Sequence, residues 1–176
     1  MTQGTIYAHL YENARTGLAR NLFWNLAITL ADRTDRIESV QCEWLTFGAR
    51  TWTDLGGLSL ADCCNSELVE CSYYRDNEHH WARLGALAFA AGRPLETLAV
   101  SLSAGAQTGG SRADLNLECP VAFEGFIVVP ANLSPAPATP EEARRALEPY
   151  VDTKRLAKPI WDRFRYVFRP VEPHTA

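Results

Sequence analysis

Residues 76–94 read DNEHHWARLGALAFAAGRP, and the fold class turns on whether this stretch is a helix. Asp76 or Asn77 suits an N-cap, and Glu78 falls in the first turn, near the positive end of the helix dipole. Trp81, Leu84, Leu87, Ala88 and Ala91 recur at helical spacing. Gly92 then suits a C-terminal cap, and Pro94 bars continuation. The pattern predicts a helix with one buried face.

A second helix is predicted upstream. Asn13 or Thr16 caps it, and Leu18, Leu22, Leu26 and Leu30 recur every four residues to about Asp32, with Phe23 and Ala27 beside them. A third follows residues 130–140, which hold four prolines and form an extended connector. Thr139 as cap, Pro140 at the first position and Glu142 three residues after the cap make a capping box. Ala143, Ala146, Leu147 and Tyr150 then face the body.

The rest alternates with period two. Thr5 to Tyr11 and Ile37 to Phe47 read as strands, the latter with Val40, Cys42 and Trp44 on one face. So do Glu67 to Tyr74, Leu98 to Leu102 and Leu115 to Cys119, while Gly125 to Val129 is a short apolar run. Arg50 to Leu60 reads as loop. Trp161 to Arg169 reads as an edge strand, with Phe164, Tyr166 and Phe168 alternating against Arg163, Arg165 and Val167. Together these predict a single α+β domain over residues 1–176. Its sheet is mainly antiparallel, with helices packed on one face and a C-terminal helix-plus-strand tail docked behind the connector.

Composition sets the class. The 176 residues are 47% hydrophobic and 22% charged, which fits a packed globular chain and not a disordered one. No run approaches the roughly 20 apolar residues of a membrane helix. The N-terminus has no basic region followed by an apolar one, so a cytosolic protein is expected. Five cysteines, an odd number in a chain of this size, read as free thiols in a reducing compartment.

Net charge is −4, unevenly spread. Residues 32–78 hold ten carboxylates against four arginines, whereas residues 141–176 hold six against eight Lys and Arg.

Five groups of residues offer chemistry. Cys63, Cys64, Cys71, His79 and His80 have zinc's preferred ligand types, but without Cys-x-x-Cys or a spaced His pair they read better as core thiols and surface imidazoles. A cysteine paired with His9, His79 or His80 could act as a nucleophile if the fold brings the two together. Ser103 to Arg112 is small and Gly-rich after a strand, yet it matches no phosphate-loop pattern and no helix follows it. It reads as a mobile loop between antiparallel strands. An acyl-CoA-type transferase using this stretch, or a cysteine-dependent enzyme, is the enzymatic alternative. Arg163, Arg165 and Arg169 with Tyr166 and Phe168 have the residue types of a nucleic-acid surface. Strand alternation puts those aromatics in the core, and the net negative charge opposes binding.

The fifth group is acidic and aromatic: Glu43, Trp44, Trp52, Asp54, Asp62, Glu67, Glu70 and Asp76. Carboxylates steer a basic partner and aromatics anchor it. The expected function is therefore non-enzymatic: a small cytosolic bacterial protein that binds and neutralises another protein, in the manner of an immunity protein or antitoxin. No cofactor or metal is expected.

Overall fold

The computed structural model describes residues 3–33, 36–76, 78–91, 98–108 and 111–171. The alternation of Thr5 to Tyr11 lies within strand β1 (Gln3–Asn13), with Ile6, Ala8 and Leu10 buried. The two upstream helices do not form. Their residues are strands β2 (Leu18–Arg33) and β5 (Glu78–Phe89). Between these run β3 (Arg36–Leu45) and β4 (Glu70–Arg75). After them come β6 (Leu98–Thr108), β7 (Ser111–Val128), helix α1 (Pro140–Leu147), β8 (Ile160–Asp162) and β9 (Arg165–Phe168). The α+β expectation, with helices covering one face of a sheet, is thus corrected to a mostly antiparallel β fold with a single α-helix among the described residues.

The misreading has a physical cause. A spacing of four is a multiple of two, so Leu18, Leu22, Leu26 and Leu30 share a face on a strand as they do on a helix. The intervening Trp24 and Ile28 are also buried in the core, which only period two explains. In β5 a bulge between Leu84 and Ala86 inserts Gly85. The inward series Ala82, Leu84 therefore resumes at Leu87 and Phe89, and one spacing of three imitates a helical turn. Trp81, expected inside, is 66% exposed. Asn77, Gly92 and Pro94, the other expected helix signals, lie outside the described residues.

Strands β1 to β7 pair in sequence order, each antiparallel to the next, and β7 returns to pair with β1 in parallel. The seven strands therefore close into a barrel. Strand β7 carries both roles: Leu98 and Gly4 are each opposite Val121, and beyond it Phe126 to Val128 also pairs with β9. The expected strand Leu115–Cys119 and all but the last residue of the expected strand Gly125–Val129 are parts of this one strand. Pro120 lies within it, opposite Ala99.

The barrel interior is the main core, filled by Trp24, Tyr73, Phe89, Phe126 and the aliphatic residues between them, and Phe168 of β9 joins the same cluster. Each large apolar side chain withdrawn from water contributes about 1.5–3 kcal/mol. One end is closed by the connection from β3 to β4 and by α1. Phe47, Ala49, Leu55 and Cys63 from the connection, and Ala143, Leu147 and Val151 from the helical segment, join the same core. Arg50 ties the two together by donating to the carbonyls of Glu148, Pro149 and Val151. The predicted capping box of α1 is present, with Glu142 N–H donating to Thr139 Oγ1 at 3.2 Å. The C-terminal aromatics form a hairpin, not one strand. Tyr166 and Phe168 are buried on β9, while Phe164 sits in the turn before it.

Candidate functional site

The outward residues of β1, β2 and the end of β3 build a second, smaller cluster. Tyr7, His9 and Tyr11 occupy alternate positions of β1, and Phe23 and Asn25 lie opposite His9 and Tyr7 on β2. Phe23 and Ile127 are buried yet stand outside the barrel core. Opposite Asn25 the register of β3 shifts, since Trp24 faces Leu45 while Leu26 faces Cys42. This bulge holds Glu43 and Trp44, and Trp44 has a left-handed backbone (φ 63°). That conformation is costly for a bulky L-residue. It removes Trp44 from the face it would share with Val40 and Cys42 and lays its ring on the outer cluster.

The rings meet mostly edge to face. Trp44 lies 5.2 Å from Phe23, 5.3 Å from Tyr11 and 5.6 Å from His9, centroid to centroid. His9 is central and also approaches Tyr7, Tyr11 and Phe23. Its charge state and tautomer follow from this setting. Burial pushes its pKa down from 6.5 to about 4, so the ring is neutral at pH 7. The Asn25 amide nitrogen sits 2.7 Å from His9 Nδ1 and 3.3 Å from the Phe23 carbonyl oxygen. Facing that carbonyl, the amide must present its N–H groups. Nδ1 of His9 therefore accepts, and Nε2 carries the proton.

Carboxylates rim the cluster. The Tyr7 hydroxyl has a raised pKa, first through burial and then through the negative charges of Glu43 and Glu124, opposed by Arg165. Glu43 is directly opposite Glu70 across β3 and β4. Like charges at opposed positions repel and weaken a sheet.

The expected binding residues divide. Glu43, Trp44 and Glu70 come together at this face, and Glu67 lies three residues before Glu70 on a short 3-10 turn. Trp52 does not belong: it is half-buried and stacks on Phe123 at 5.6 Å and 3°. Asp54 and Asp62 serve the local backbone. Asp54 accepts from the amides of Arg50 and Thr51, and Asp62 from the amide and hydroxyl of Ser59. Asp76 sits in the turn after β4, at the far end of that strand, 3.8 Å from Arg75. Tyr7, Tyr11, Phe23 and Asn25 were not among the expected site residues, and His9 was expected only as a possible partner of a cysteine. The alternation of β1 offered one signal, since it sets three ring-bearing residues in a row on the outward side.

The other candidates separate. Among the described residues no three His, Cys, Asp or Glu side chains gather as a metal site would require. Cys63 lies against Thr46, His79 bonds Ser72, and Cys71 faces Cys42 with the sulfurs 3.7 Å apart. All five cysteines are free thiols. At the barrel end opposite α1, the Tyr73 hydroxyl donates to Glu38 in a short hydrogen bond, and the His80 ring lies 6.1 Å from Tyr73. The expected mobile loop of Ser103 to Arg112 is instead strand on both sides, with residues 109 and 110 outside the description. Its outer face contributes to a groove of about 730 Å³ beside Arg83, Ser103, Gly105, Arg112, Asp114 and Asn116. The groove's strongest polar pair, Arg112 with Asp114 at 2.7 Å, is internal to it.

Comparison with protein-family models, curated proteins and solved structures finds no match for this chain. No helix among the described residues is long and apolar enough to cross a membrane.

Proposed function

We propose that the chain is a non-enzymatic binding protein that takes a basic segment of a partner protein on the outer face of β1, β2 and β3. One observation carries the reading: a cluster of four aromatic rings around a neutral histidine, bordered by Glu43, Glu70 and Glu124. Aromatic faces attract Lys and Arg side chains, and a carboxylate rim selects that charge and speeds encounter. The opposed Glu43 and Glu70 favour this over a purely structural role, because a cation between them relieves their repulsion. The strained Trp44 backbone fits the same view, since strain gathers where a ring must be presented. An immunity protein or antitoxin, acting in the cytosol, is the finer form of this proposal.

The test is capture of partners from native cytosol at moderate salt by wild type, by Trp44→Ala and by Glu43→Arg with Glu70→Arg. The reading requires one stoichiometric basic protein that both variants lose. A partner that binds all three chains equally removes this face from the interface. A chain that captures no partner but melts higher with a small cofactor is an enzyme or carrier, and the proposal fails.

A further inference from the structure

The C-terminal hairpin carries a second surface. Six large hydrophobic residues are well exposed among those described, and four of them lie here: Ile160 at 58%, Trp161 at 53%, Phe164 at 60% and Val171 at 50%. Isolated apolar side chains at a surface need no explanation, but four gathered on one short hairpin do. Alternation places Ile160 and Trp161 on opposite faces of β8. Trp161 lies on the side of Tyr166, 4.6 Å from its ring, and Phe164 occupies the turn. The apolar groups thus cover both flanks and the tip of a wedge.

The root of the wedge is firm. Arg144 of α1 donates to the carbonyls of Thr153, Leu156 and Ala157 and lies 5.4 Å over the Phe168 ring. Strand β9 pairs with β7, and the bridge between Leu156 and Pro170 extends the hairpin downward. The root is also basic. Residues 154–169 hold six Lys and Arg against one Asp, a net +5 in a chain of −4, which leaves −9 for the rest. Asp162 is already paired with Arg165 at 2.9 Å. Lys154, Arg155, Lys158, Arg163 and Arg169 have no ion-pair partner among the described residues.

We propose that this hairpin docks on an anionic lipid surface, with Ile160, Trp161 and Phe164 entering the headgroup boundary and the basic root lying against the acidic headgroups. A flat protein partner would cover one flank and leave the other wet, whereas a fluid lipid layer surrounds a wedge on every side. Trp is favoured at such boundaries, and each basic residue near an anionic leaflet adds to the attraction. Nucleic acid suits the charge and the rings, but an aliphatic Ile160 has no stacking role there. The charge division orients the approach, basic hairpin first and acidic body last.

The test uses the full chain with vesicles of phosphatidylcholine alone and of phosphatidylcholine with phosphatidylserine. Wild type should sediment with the anionic vesicles only, less so as salt rises. Ile160→Ser with Phe164→Ser, both at exposed positions, should lower the partition at least about tenfold. Brominated lipid should quench wild-type fluorescence more than that of Trp161→Phe, which separates insertion from surface adhesion. Failure to bind anionic vesicles overturns the proposal, as does equal binding by the double variant. Phe164-dependent binding of single-stranded poly(U) without vesicle binding would make the surface a nucleic-acid site, and self-association without lipid would make it a dimer contact.

Discussion

At the scale of single residues, His9 ties the candidate site to stability. It is neutral when folded because four rings and Asn25 replace its water. In the unfolded chain it gains a proton near pH 6.5, whereas the folded chain resists until about pH 4. Its contribution is therefore complete above pH 6.5 and is lost as pH falls towards 4, a total of about 3 kcal/mol. Urea unfolding across that range should show a steeper loss for wild type than for His9→Phe. Parallel curves would mean that His9 is wetter than its contacts imply. The same residue marks a limit of the sequence. The charge and residue type of Glu43, Trp44 and Glu70 were legible, but the ring cluster around His9 was not, because it is assembled from β1, β2 and the bulge of β3.

At the scale of elements, local signals and periodicity had different worth. The capping box of α1 was legible because its donors and acceptors lie within four residues and need nothing from the rest of the chain. The strand alternation of β1 was legible for a similar reason. β2 and β5 were not, because spacings of three and four satisfy a helix and, with one bulge, a strand equally well. What decided between them was pairing, which is not local. Bulges interrupt several strands: β2 at Leu30, β3 under Trp44, β5 at Gly85, and β7 before Gly125. Gly125 has φ 136°, and a Cβ there would lie 2.8 Å from the Phe168 carbonyl oxygen. Gly125→Ala should therefore cost about 2–4 kcal/mol and loosen β9 from β7. Limited proteolysis should then cut the hairpin first, and an unchanged cleavage pattern would show that the strand shifts to make room.

At the scale of the whole molecule, the parallel pairing of β1 with β7 controls the architecture, and no short motif announces it. Gly4 permits it by standing where a Cβ would meet Val121 Cγ1 at 2.6 Å. Every strand from β1 to β7 consequently has a neighbour on each side over part of its length, whereas β8 has one. Amide hydrogen exchange should divide on the same line. Amides of Ile6 to Leu10 should exchange only with global unfolding, while those of Ile160 to Asp162 should exchange by local opening. Comparable rates in the two places would mean that the barrel opens at the β1–β7 seam.

That seam also sets an order of events during synthesis. Gly4 must find Val121, and Leu10 must find Val128, each more than a hundred residues later in the chain. Strands β1 to β3 can pair as soon as they leave the ribosome, but Ile6, Ala8 and Leu10 cannot be fully enclosed until the last long strand has been made. Contacts so distant in sequence make folding slow. The nascent chain must therefore wait with an apolar surface unburied, and the demand for a chaperone should fall once residue 128 emerges and end only when α1 and β9 complete the core.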